Sequence, residues 1–162
     1  MMILLMSVMV FPLSAQELTG TWNYAEDFTE DDLSGRINTL FHFNPDGSAR
    51  LDIETTCQMK DKDLGTLDMV LNIILPGTWV REGDQLTLKC KKNKATIDFE
   101  MKGLDDFPKM VRNMVTNMVR KEITKEVLSE FDYNKFTIIR LTEDELELGD
   151  EDGSEVLRRV KR

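Results

Sequence analysis

Strict alternation of apolar and polar side chains runs through most of this sequence and restricts it to a fold built from strands with one dry face. Ala49, Leu51, Ile53, Thr55 and Cys57 alternate with Arg50, Asp52, Glu54 and Thr56. Leu86, Leu88 and Cys90 do the same against Gln85, Thr87 and Lys89, as do Ala95, Ile97, Phe99 and Met101 against Thr96, Asp98 and Glu100. Near the C-terminus Leu146 and Leu148 alternate with Glu145 and Glu147. Turn chemistry separates the runs. Asn44-Pro45-Asp46-Gly47 pairs a proline with preset φ and a glycine able to reach positive φ, so it joins Thr39–Phe43 to Ser48–Cys57 as a hairpin. Glu82-Gly83-Asp84, Lys92-Asn93 and Asp150-Glu151-Asp152-Gly153 read the same way. Strands joined by tight turns pair with their neighbours, and about eight to ten of them are enough to close an antiparallel sheet into an all-β barrel.

One stretch departs from the pattern. Asp105 to about Phe131 has no glycine, carries Asp105 and Asp106 as caps ahead of Pro108, and spaces its apolar residues for a helix. Leu104, Phe107, Met110, Val111, Met114, Val115 and Met118 share one face, and the stripe then continues every fourth residue through Val119, Ile123, Val127 and Phe131. Each four-residue step overshoots a turn by about 40°, so the dry face swings to nearly the opposite side. The spacing predicts a helical insertion over 104–131, bent or broken around Arg120 to Glu122 so that both halves find a surface.

The first fifteen residues, MMILLMSVMVFPLSA, hold no charged side chain, and Ile3 to Leu13 is apolar over the length of a signal-peptide core, too short for a bilayer span. No Lys or Arg precedes that run. Pro12, Ser14 and Ala15 supply the break and small residues of a cleavage site, which divides the chain into a signal peptide, 1–15, and one domain, 16–162. No cysteine follows the site, so a lipid anchor on cysteine is not expected, and the mature chain is expected to be soluble in the periplasm or outside the cell. Cys57 and Cys90 would meet an oxidising compartment, which favours a bridge. If a strand around Met69 to Arg81 lies between theirs, they stand about 9.5 Å apart, beyond the reach of a disulfide.

A net charge of −9 with no basic cluster disfavours nucleic acid and membrane insertion. Catalysis finds few actors. His42 is the only imidazole and has no serine or cysteine at motif spacing, so it reads as a strand residue. The carboxylates Glu26 to Asp32 and Glu143 to Glu155 form solvated surface runs. Asp150 to Glu155 offers oxygen ligands without the spacing of a calcium loop and reads as a hairpin turn. No catalytic residue, metal site or cofactor is expected, and the chain is not expected to be an enzyme.

Gly20 and Trp22 stand on the first strand; Phe43 to Gly47 form a Phe-Asn-Pro-Asp-Gly hairpin. Gly77 to Trp79 precede Gly83, Asp84, Leu86 and Leu88, and Leu141, Thr142, Leu146 and Leu148 close the chain. In this order the motifs resemble the lipocalin-like domains of secreted Bacteroidetes proteins; the resemblance spans both ends and the middle of the mature chain but not 103–131. It implies a barrel whose floor is locked by the first-strand Trp and a last-strand Arg. Val156, Arg158 and Val160 alternate with Leu157, Arg159 and Lys161, which makes Arg158, flanked by valines, the candidate partner of Trp22, the alternative being a surface arginine that snorkels to water. The second Gly-Thr-Trp, at Gly77 to Trp79, reads as coincident strand chemistry rather than a duplicated module. The resemblance also implies a small hydrophobic ligand, with Phe41, Phe43, Leu51, Ile53, Leu88 and Phe99 lining its pocket. The stripe of Met110, Met114 and Met118 reads either as ordinary core or as an adaptable cover lying over the barrel mouth. The alternative is a filled barrel serving as a structural or protein-interaction module. Peptide sequencing of the protein from its own host checks the export reading: the mature chain begins at Gln16, and an intact Met1 contradicts it.

Overall fold

The computed structural model describes residues 17–131 and 133–161, and the signal peptide expected over 1–15 lies outside them. Among the described residues there are nine antiparallel strands: β1 (Gly20–Glu30), β2 (Leu33–Phe43), β3 (Ser48–Asp61), β4 (Gly65–Glu82), β5 (Gln85–Cys90), β6 (Thr96–Lys102), β7 (Tyr133–Leu141), β8 (Glu145–Gly149) and β9 (Ser154–Arg159). A 3₁₀ turn, Lys92–Lys94, joins β5 to β6, and one helix, α1 (Lys109–Glu130), joins β6 to β7. Eight strands close in the order β3-β2-β1-β9-β8-β7-β5-β4, with β4 returning to β3. The ninth, β6, is outside this ring.

The length of β4 makes room for it. Gly77–Glu82 pair with β5, while Asp68–Ile74 pair with β6, so the free edge of one long strand serves two partners in turn. Alternation fills the inside: Ala49, Leu51, Ile53 and Thr55 of β3 face Leu71, Ile73 and Leu75 of β4, with Leu86, Leu88, Leu146 and Leu148 across the barrel, all buried. The hairpins follow the expected chemistry. Asn44 N–H reaches Ser48 O at 3.0 Å, and the Asp150 carboxylate accepts from the backbone N–H of Asp152 and Gly153.

The ring closes where β1 meets β9, through only two residue pairs, Trp22 opposite Arg159 and Asn23 opposite Arg158. Trp22 is fully buried and donates its indole N–H to Leu18 O at 2.9 Å. The Arg159 guanidinium lies over the indole, 4.1 Å from the ring centroid, and donates to the carbonyls of Thr19, Glu17 and Glu143. Arg159, not the exposed Arg158, is therefore the partner of Trp22. The two valines beside Arg158 misled the sequence reading: Val156 and Val160 are 39% and 43% exposed, whereas Leu157 is 1% exposed and sets the inward face of β9. Gly20 completes the lock. Its φ of +125° is a glycine conformation, and a Cβ there would lie 2.7 Å from Arg159 Nη1.

The cysteines are unbridged. Cys57 stands opposite Met69 and Cys90 opposite Gly77, so β4 runs between them and they are offset by eight residues along it. At about 3.3 Å per residue that offset alone is roughly 26 Å.

Helix α1 begins at Lys109, with Pro108 just outside it in an extended conformation and no side-chain cap. It runs unbroken to Glu130, which corrects the break expected near Arg120. The swing of its apolar stripe is real, and the fold answers it with two surfaces instead of a broken axis. Val111, Val115 and Val119 pack with Met59 of β3, Leu67 of β4, Met101 of β6 and Leu104 and Phe107 of the loop after β6, while Ile123, Val127, Leu128 and Phe131 pack on the barrel core.

Urea unfolding tests the lock. Trp22→Ala is expected to cost about 3–5 kcal/mol, as for a large buried aromatic. Arg159→Ala costs about 2–3 kcal/mol, by loss of its charged hydrogen bonds and its cation–π contact. Arg158→Ala stays within about 0.5 kcal/mol, and equal losses at the two arginines would refute the assignment.

Candidate binding region at the barrel mouth

The two ends of the barrel differ. At the floor, Leu18, Trp22, Phe43 and Trp79 are buried together; Phe43 meets Trp79 edge-on at 5.6 Å and stacks beside Phe41 at 6.3 Å. The Trp79 indole donates to Asn44 O at 2.9 Å, so both Gly-Thr-Trp motifs place an indole whose N–H is satisfied by a backbone carbonyl. The mouth, at the opposite end, is ringed by apolar side chains that are only partly buried: Tyr24 of β1, Ile37 of β2, Ile97 and Phe99 of β6 and Phe136 of β7. The second half of α1 packs Ile123, Val127, Leu128 and Phe131 against the same core. It has to lie here, because β6 ends and β7 begins at this end of the barrel.

The expected site residues divide accordingly. Phe41, Phe43, Leu51, Ile53 and Leu88 are buried against one another as packed core, and Phe99 alone of that set belongs to the mouth. Met110, Met114 and Met118 face solvent at 81%, 64% and 61% exposure, which corrects their placement as a cover over the barrel. The seven residues assigned to one helical face span an arc of about 140°, with the methionines on one side of it and the valines on the other. The valine half of that arc is continuous with Ile123 and Val127, so that half is buried and the methionine half is left outside. The sequence also missed Tyr24, Ile37, Ile97 and Phe136; their strands alternate, but nothing in the alternation says which inward residues lie near a rim.

Polar groups at the mouth are unevenly placed. The Tyr24 hydroxyl donates to Glu26 Oε2 at 2.9 Å and also engages Glu155. Burial, reinforced by Glu26, pushes the Tyr24 phenol above its ordinary range, and burial likewise raises the Glu155 carboxyl. Inside the barrel the Thr55 hydroxyl is sealed from water without a hydrogen-bond partner among the described residues, as is that of Thr124 on α1. Such hydroxyls carry a desolvation cost that a bound polar atom or water would relieve.

His42 lies on the outer face. Its Nδ1 is 3.0 Å from Thr21 Oγ1 and its Nε2 3.0 Å from Asp52 Oδ2, which also accepts from Arg50 at 2.7 Å. Thr21 and Arg50 are the cross-strand partners of His42, so ordinary pairing on a sheet surface accounts for the group. Two hollows open on the outside of the molecule. One, of about 780 Å³, lies by Gln85, Thr137, Ile139 and the Asp150 turn; the other, of about 360 Å³, lies between α1 and Ile97. Among the described residues no group of three or more His, Cys, Asp or Glu side chains is arranged to hold a metal, and no helix is long and apolar enough to cross a membrane.

No protein-family model matches the sequence, and no curated protein matches it. Among solved structures the chain is similar to a lipocalin-like protein from Bacteroides uniformis, at 12% identity with a TM-score of 0.45, over 89% of this chain and 99% of that one. It is also similar to an uncharacterized protein from Bacteroides eggerthii, at 14% identity with a TM-score of 0.44, over 88% and 98%.

The exposed methionines give a direct check on α1. Replacing Met110, Met114 and Met118 together by Ser should change stability by less than about 1 kcal/mol, whereas Val115→Ser alone should cost about 1–3 kcal/mol. A larger loss in the triple variant than in Val115→Ser would mean that the methionine face is the packed one.

Proposed function

We propose that this protein is an exported, non-catalytic binding protein for a small hydrophobic molecule, taken up at the mouth of the barrel beneath α1. One observation carries the reading: Leu18, Trp22, Phe43 and Trp79 are buried at the floor, while Tyr24, Ile37, Ile97, Phe99 and Phe136 of four strands stay half-buried, with the second half of α1 packed on the same core. Apolar side chains left partly exposed in a concave setting are what a hydrophobic ligand covers. A cover formed by one helix is the kind of element that moves aside at low cost. Export rests on the uncharged apolar start of the chain. The absence of catalysis rests on His42, whose contacts lie on the outer wall, away from the mouth.

A second reading has its own support. Phe41, Phe43, Leu51, Ile53 and Leu88 fill the floor half of the interior, as in a barrel that serves only as a scaffold for surface interactions. The uncharged fluorescent probe N-phenyl-1-naphthylamine separates the two. The mouth reading expects saturable uptake, weakened about tenfold, or roughly 1.4 kcal/mol, by Ile37→Trp, with little change in the unfolding midpoint. Phe41→Leu, at the floor, should lower stability and leave uptake unchanged. Absence of saturable uptake by the native protein would favour the filled scaffold.

A further inference from the structure

Strand register places the half-buried ring and one buried hydroxyl at the same depth in the barrel. Pairing runs straight across five strands, so that Tyr24, Thr39, Ile53, Ile73 and Ile97 form one row. Two residues further along, Glu26, Ile37, Thr55, Leu71 and Phe99 form the next. Tyr24, Ile37, Ile97 and Phe99, four of the ring residues, belong to these two rows. Thr55 stands between Ile37 and Leu71 in the second row, only 4% exposed, while Glu54 and Thr56 beside it on β3 turn to solvent.

Among the described residues three sealed side-chain oxygens have no hydrogen-bond partner: Asp52 Oδ1, Thr124 Oγ1 and Thr55 Oγ1. Asp52 lies on the outer wall, and its other oxygen is held by His42 and Arg50. Thr124 stands on α1, outside the ring of strands. Of the three, Thr55 alone is inside the barrel. An unpaired hydroxyl among aliphatic side chains forfeits its hydration, a cost that valine, of the same shape, does not carry. A ligand oxygen that meets the hydroxyl removes this cost only in the complex. The hydroxyl then contributes to recognition and nothing to folding.

Its chemistry narrows what can meet it. A threonine hydroxyl donates one hydrogen bond and accepts others, so an alcohol or a carbonyl oxygen suits it. A full charge does not. Neither row holds a basic residue, and Glu26, in the same row as Thr55, joins Glu155 at Tyr24, so an anion entering here meets two carboxylates and no counter-charge. An ammonium group on Thr55 lies two strand spacings from Glu26, roughly 9.6 Å, and is desolvated without a carboxylate in contact.

We propose that Thr55 is the polar anchor of the mouth: the ligand is an apolar molecule with one uncharged oxygen, an alcohol or a carbonyl, that hydrogen-bonds the Thr55 hydroxyl between Ile37 and Leu71. The proposal rests on the mouth reading above and adds to it the polar group of the ligand and the depth at which that group sits. Naphthalene, 2-naphthol, 2-acetylnaphthalene, 2-naphthoate and 2-(aminomethyl)naphthalene share one ring system and test it on the full mature chain, by calorimetry and by competition with N-phenyl-1-naphthylamine. Thr55→Val should weaken binding of 2-naphthol and 2-acetylnaphthalene about tenfold and leave naphthalene unchanged, without lowering the unfolding midpoint of the free protein. Thr55→Ser should retain both oxygen-bearing ligands, and Thr124→Val should alter none of the five. The naphthoate and the amine should bind the native protein more weakly than 2-naphthol.

An unchanged affinity for 2-naphthol in Thr55→Val, or an equal loss of naphthalene and 2-naphthol, overturns the anchor and leaves the mouth reading intact. A lowered unfolding midpoint of free Thr55→Val also overturns it, because the hydroxyl is then satisfied within the protein, by its backbone or by a trapped water. Tighter binding of the naphthoate or the amine than of 2-naphthol overturns the uncharged class of ligand. Loss of 2-naphthol on Thr124→Val in place of Thr55→Val overturns the position of the anchor. Failure of naphthalene, 2-naphthol and N-phenyl-1-naphthylamine alike to bind the native protein overturns the mouth reading itself.

Discussion

An eight-stranded ring exists only if its first and last strands meet, and here they meet at Trp22 and Arg159. Two residue pairs supply little backbone bonding for a closure on which the whole ring depends. The side chains supply the rest. A planar guanidinium lies over the indole while its fork donates to carbonyls of the N-terminal segment and of the β7–β8 turn, so one residue ties three separate pieces of chain. Lysine could not reproduce this, because a point charge neither stacks on an indole face nor donates in several fixed directions. The bare backbone of Gly20 gives the guanidinium its space.

A lock at one end leaves the other end free to differ. Beyond Asn23 no further pair joins β1 to β9, and on the far side β4 leaves β5 to pair with β6. Apolar side chains that would meet across a narrow barrel are left at a rim, and α1 is drawn over them because its late apolar residues have no other surface. The same helix spends its early apolar residues on the β4–β6 extension. Spreading one helix over two surfaces turns its remaining faces, Met110, Met114 and Met118 among them, outward.

Much of this was legible residue by residue. The inward sets of β3, β5 and β8, the hairpins at Asn44 and Asp150, the separation of Cys57 from Cys90 by an intervening strand, and the extent of the helical insertion follow from local periodicity and turn chemistry. The misassigned arginine was legible too, by a longer route. The hairpin after Gly149 sets Leu146 opposite Leu157, and an inward Leu146 then requires inward Leu157 and Arg159. The pair of valines beside Arg158 offered a shorter and misleading answer, because hydrophobicity along one strand cannot outrank the register imposed by its partner.

The sequence by itself determined a period-two barrel with one helical insertion, since alternation and turn residues act over a few neighbours and need no knowledge of the rest of the chain. The tertiary structure alone decided which half of a wide apolar arc is buried, and which inward residues form floor and which form rim. Each of these depends on where residues distant in sequence come to lie. Val115 and Met114 are adjacent and both apolar, and only the position of the β4–β6 sheet makes one of them core and leaves the other in water.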